Sequence, residues 1–173
     1  MTRTSIILGL LFFGLTIKTL FACSCLGESN VQSGLASSAI VVSGQIISTS
    51  LEWLPDSTTI KMMAAPGKHV EEVDKRMYGT YLKKVLVKVE TIFKGNTTND
   101  TLIIYTGLGH GDCGYNFETG QKYIIYGARE SYFSSFFDDL NFPTGPNIFW
   151  TDICTRTKEL DMTEIIELEK IRK

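Results

Sequence analysis

The chain has 173 residues, 43% of them hydrophobic and 21% charged, enough apolar material for one domain with a sizeable core. With 17 basic against 19 acidic residues its formal charge is −2, which gives no support for nucleic acid as a partner, since that calls for a basic face. The two histidines, His69 and His110, lie in different segments without metal-ligand spacing, which argues against an intrinsic metal site and a metal-dependent enzyme.

The first 22 residues join a basic start at Arg3 to an apolar core from Ile6 to Leu15 and end on the small Ala22. That is the pattern of a secretory signal peptide. Thr16, Lys18 and Thr19 interrupt the run before it reaches the roughly 20 apolar residues of a membrane span, and no later segment approaches that length. Cleavage after Ala22 leaves residues 23–173 and, by removing Arg3 and Lys18, lowers the formal charge from −2 to −4. It also makes Cys23 the first residue of the mature chain, at the head of Cys23-Ser24-Cys25. All four cysteines, Cys23, Cys25, Cys113 and Cys154, lie in the mature part. An even count behind a signal peptide implies an oxidising, extracellular setting and two disulfides, with three pairings open. Leu20-Phe21-Ala22-Cys23 also approximates a bacterial lipoprotein site, which would instead anchor the chain through a lipid on Cys23 and block its amine.

Residues 30–39 read as a short helix capped by Asn30, with Val31 and Leu35 facing inward. Residues 40–49 are short and β-branched and read as a strand that Gly44 bends. Residues 51–79, with Pro55, Pro66 and Gly67, are too long for a plain connector and read as a long loop, a disordered segment or a projecting hairpin.

Residues 80–93 alternate strictly, with Val85, Val87, Val89, Thr91 and Phe93 on one face and Lys84, Lys88 and Glu90 on the other, so a half-buried strand is expected. Lys94-Gly95-Asn96 turns it into a second strand over 101–106. Asn96-Thr97-Thr98 and Asn99-Asp100-Thr101 on that turn are glycosylation sequons. Residues 107–114 form a glycine-rich loop holding His110, Asp112 and Cys113.

A strand over 122–128, a long aromatic loop over 131–147 and a short strand over 148–153 deliver Cys154. Asp161 to Glu164 reads as a capping box, and Ile165, Ile166, Leu168 and Ile171 as the apolar face of a C-terminal helix over 161–172. About five strands, glycine bends and a helix near each end point to a mainly β fold, an OB-fold-like Greek-key barrel in a single domain.

Gly109-His110-Gly111-Asp112-Cys113-Gly114 has the spacing of a dinucleotide fingerprint, but no helix follows it. Neither Ser37-Ser38 nor the aromatic loop with Tyr132, Phe133, Phe136 and Phe137 has a base at motif spacing, so no nucleophile arrangement is found and no enzyme is expected. The aromatic loop reads as cover for the core.

Taken together, the motifs resemble the netrin-like domain family, specifically the N-terminal domain of tissue inhibitors of metalloproteinases. The resemblance rests on Cys23-Ser24-Cys25 after the leader, Ile92-Phe93-Lys94-Gly95 at the end of a strand, Cys113-Gly114-Tyr115 followed by Tyr123-Ile124-Ile125, and Thr151-Asp152-Ile153-Cys154. It spans residues 23–157. It implies disulfides Cys23–Cys113 and Cys25–Cys154, each worth up to about 4 to 5 kcal/mol by chain entropy.

It also implies a secreted, monomeric inhibitor with no cofactor of its own, whose partner is a zinc metalloproteinase. The α-amine and carbonyl of Cys23 would chelate the target's catalytic zinc, Ser24 would face its specificity pocket and Cys25 would hold the segment. Gly109, His110, Gly111 and Asp112 would form the second binding edge. The animal inhibitors carry a third disulfide in this domain and a further cysteine-rich domain, and this chain has neither. The alternative is therefore a netrin-like extracellular binding module without inhibitory activity.

Overall fold

The structure is a computed structural model that describes Cys25 and residues 30–56, 58, 60, 78–109, 111–135 and 140–172. Helix α1 (Val31–Ser37) is followed by strands β1 (Ile40–Pro55), β2 (Gly79–Lys94), β3 (Thr101–Thr106) and β4 (Lys122–Gly127). A 3-10 turn (Tyr132–Ser135), the short strands β5 (Ile148–Trp150) and β6 (Lys158–Glu159), and helix α2 (Met162–Arg172) complete the order. The molecule is mainly β, one six-stranded sheet ordered β5-β3-β2-β1-β4-β6. No helix among the described residues is long and apolar enough to cross a membrane.

Helix α1 starts where Asn30 predicts. The Asn30 side chain accepts from the Ser33 amide at 2.8 Å, and the Ser33 hydroxyl accepts from the Asn30 amide at 3.1 Å, a reciprocal cap. Gly34 weakens the helix by propensity but permits its packing, because a Cβ there would lie 3.0 Å from the Tyr126 ring and 3.2 Å from Cδ of Arg156.

Strand β1 runs further than its sequence indicates. Leu51 to Pro55 pair in register with Lys83 back to Gly79, so both ends of the expected 51–79 loop are hairpin arms. Cross-strand contacts hold them: the Trp53 and Tyr81 rings lie 4.8 Å apart, and Lys84 meets Glu52 at 3.2 Å. Residues 57, 59 and 61–77, the rest of that segment, lie outside the described residues.

Three register shifts break the β1–β2 pairing, between Val41 and Val42, Ser43 and Gly44, and Ile46 and Ser48. They change which face a residue occupies. Val85, Val87 and Val89 point to the central core as the alternation predicts, but beyond the shifts Ile92 takes the inward place. Phe93 turns outward to Val31, Val41 and Leu168.

Strand β3 pairs antiparallel with β2 and parallel with β5. Reciprocal hydrogen bonds of 2.8 and 2.9 Å then join Ala128, just after β4, to Trp150 of β5. Since β4 also pairs with β1, the pairings run round a ring, β1-β2-β3-β5-β4. Inside lie Ile40, Val42, Ile46, Val85, Leu102, Ile104, Ile125 and Phe149. A second apolar cluster seats both helices on the outside, and a third packs Phe133, Leu140 and Phe142 over Leu82, Tyr105 and Trp150.

Three local expectations change. Strand β5 stops at Trp150 instead of residue 153, β6 appears where no strand was indicated, and Glu164 turns into the protein instead of back toward Asp161. Of the expected apolar face of α2, Leu168 is buried and Ile165 packs beside it, whereas Ile166 and Ile171 are about half exposed.

Candidate functional site

Cys25 and Cys154 form a disulfide with a Cα separation of 5.1 Å, the pairing that the family resemblance implies. Cys23, Ser24 and His110 lie outside the described residues. Among the described residues no cysteine is free.

Cys154 is held by a tight turn. Asp152 Oδ1 accepts from the amides of Cys154 at 2.7 Å and Thr155 at 2.8 Å, and the Thr155 hydroxyl donates to the Asp152 carbonyl. Below it the Thr151 hydroxyl lies 2.8 Å from that of Thr155 and 2.6 Å from that of Thr157. These groups fix the position to which Cys25 is bolted.

The glycine-rich loop stands directly beside the turn, because the Ile153 amide donates to the Cys113 carbonyl at 2.9 Å. Its shape comes from Asp112, whose carboxylate accepts from the amides of Leu108 at 2.5 Å, Gly109 at 2.7 Å and Gly114 at 3.1 Å. Burial pushes the Asp112 carboxyl up, but these amide donors outweigh it and hold its pKa below the usual value. At Gly114 a Cβ would fall 2.1 Å from the Gly107 carbonyl carbon, so the two sides of the loop can touch only through glycine. Cys113 itself adopts φ of 60°, in the left-handed region.

Two further groups flank the loop. Lys83 donates to Asn116 Oδ1 at 2.8 Å, and burial lowers its pKa despite the opposing field of Asp112. The Tyr132 phenol is raised far above its ordinary pKa, first by burial and then by the carboxylates of Asp112 and Asp152, so the 3-10 turn lies within their electrostatic reach. Cys25, Gly111 and Cys154 are exposed.

The structure thus brings Cys25, Gly109, Gly111, Asp112, Cys113 and Cys154 together in one braced, partly exposed group. A hollow of about 520 Å³ lined by Arg129, Ser131, Leu140, Phe142 and Trp150 includes none of these residues. Among the described residues no group of three or more His, Cys, Asp or Glu is placed to hold a metal ion.

Sequence reasoning passed over Asp152, Thr151, Thr155, Thr157 and Arg156 as parts of this site. The Asp-x-Cys-Thr spacing was a usable sign, since an Asx turn reads from Asp to the amides two and three residues on. Arg156 has no local sign, because its partner Glu164 is identified only by the fold. No protein-family model matches the chain, and no curated protein matches it at a significant level.

Proposed function

We propose that the chain is a secreted inhibitor of zinc metalloproteinases of the netrin-like type, an OB-fold Greek-key barrel that acts through its processed amino end. One observation carries the reading: the Cys25–Cys154 disulfide fixes the segment two residues from the proposed end beside the loop of Gly109, Gly111 and Asp112. Support for the barrel comes from the ring order β1-β2-β3-β5-β4 with its parallel β3–β5 pair.

In this reading Cys23 bridges Cys113, the partner left once Cys25 and Cys154 are joined. That bridge would occupy the sulfur that a lipid thioether needs, which favours a free amine over a lipid anchor. The α-amine and carbonyl of Cys23, on one Cα, replace the exchangeable water of the target's zinc, whose three protein ligands leave that position open. Ser24 faces the specificity pocket, and Gly109 to Asp112 form the second edge. Two bridges remove most of the ordering cost that a loose terminus would bear on docking. Only the unprotonated amine binds a metal, and its ordinary pKa is about 8. Inhibition therefore tightens from pH 6 to pH 8, approaching about tenfold per unit at the acid end.

The test adds one alanine before Cys23. The extended form should lose inhibition of a susceptible metalloproteinase and keep its melting temperature. Equal potency of the extended form, no inhibition by the native form across a broad panel, or mass spectra showing an acylated Cys23 would each overturn the inhibitor.

A further inference from the structure

Helix α2 has 11 residues, too few to stand alone in water, so contacts with the rest of the protein must hold it. Leu168 supplies one buried contact and Ile165 a partial one. A third is polar. The Glu164 side chain is 2% exposed, and both its oxygens are engaged. Oε1 accepts from Arg156 Nε at 2.5 Å and from the Tyr126 hydroxyl at 2.6 Å, and Oε2 accepts from Arg156 Nη2 at 2.5 Å. Lys158 Nζ stands 3.8 Å from Oε2. A carboxylate gripped by both prongs of a guanidinium has a defined direction as well as a charge.

Arg156 lies two residues after Cys154. Its stem passes under α1, with Cδ and Cβ 3.2 and 3.3 Å from where a Cβ on Gly34 would be. Tyr126 is tied to the same turn a second time, since its amide donates to the Thr157 hydroxyl at 3.0 Å. The turn bearing Cys154 is therefore braced from α1, β4 and α2 at once. None of Arg156, Glu164 or Tyr126 belongs to the cluster inside the ring, so loosening them acts on the turn before the strands.

We infer that Arg156 is a positioning residue and α2 a latch: through Glu164 the C-terminal helix holds the Cys154 turn in place, and the amino-terminal site is incomplete without it. The functional half of this rests on the inhibitory reading, and the structural half does not.

The experiment uses the full mature chain as wild type, Glu164→Gln and Tyr126→Phe. Amide hydrogen exchange is measured together with the inhibition constant against a zinc metalloproteinase that the wild type inhibits. In Glu164→Gln, protection at Ile153, Cys154 and Ile165 should fall by about tenfold or more, with Val85 and Val87 unchanged. The inhibition constant should weaken by a similar factor. Tyr126→Phe, which removes one hydroxyl, should show the same pattern more weakly and decides the matter if Glu164→Gln does not fold.

An even loss of protection across all amides, or no change at Ile153 and Cys154, overturns the latch. The local loss with undiminished inhibition overturns the other half, that the amino-terminal site is incomplete without the latch. If the wild type inhibits no protease while the local loss appears, the latch stands and the inhibitory reading falls.

Discussion

At Asp112 burial and hydrogen bonding pull in opposite directions, and the hydrogen bonds win. Three amides aim at one carboxylate, so an asparagine in its place keeps the shape but loses the charge-assisted acceptor. Asp112→Asn should cost about 1.5 to 3 kcal/mol, read as a lower urea midpoint with an unchanged slope. Acid should act in the same direction. Asp112 and Glu164 both have folded pKa values below the ordinary ones, so the unfolded chain takes up their protons first. Their contribution is complete above the ordinary carboxylate range, about pH 4, and is lost as pH falls through the folded values. A urea midpoint that held steady from pH 5 to pH 2 would contradict this. At this scale the sequence was partly legible: the cysteines and the glycine-rich loop stand out by composition, whereas Arg156 and Glu164 become partners only when α2 folds onto β4.

Among the elements, the two helices and the central strands follow from local rules. Asn30 caps α1 in the expected way, so Asn30→Ala should lower stability by about 1 kcal/mol, seen as a small drop in melting temperature without loss of fold. The alternation of Val85, Val87 and Val89 was legible because each faces the same core. It failed at Ile92 and Phe93 because a bulge belongs to a pair of strands, and one strand's sequence does not contain its partner's register. For residues 51–55 a projecting hairpin was one of three readings and the sequence did not choose among them, since Leu51 to Leu54 lack a clean alternation and rely on Tyr81, Leu82 and Lys84 across the hairpin. Strand β6 has two residues, pairs only at Tyr123 and Ile124, and is too short to leave a period.

Over the whole molecule, ring closure and the Cys25–Cys154 bridge do related work, each joining parts distant in sequence. The bridge closes 129 residues, for which chain entropy gives an upper figure of about 5 kcal/mol. A Cys25→Ala, Cys154→Ala double variant should lose a large part of that, measured by guanidinium unfolding, while the strand content seen by circular dichroism stays close to that of the parent. The mainly β class was legible from the spacing of strands and turns. Parallel pairing of β3 with β5 was not, because nothing local distinguishes a parallel neighbour from an antiparallel one.

A ribosome delivers Cys25 early and Cys154 only after 129 further residues. Most of the strands are therefore made before Cys25 can be fastened, and a product that stops short of Cys154 has no means of fastening it. That bond arrives in a single event, once its second cysteine has been made and an oxidant is at hand.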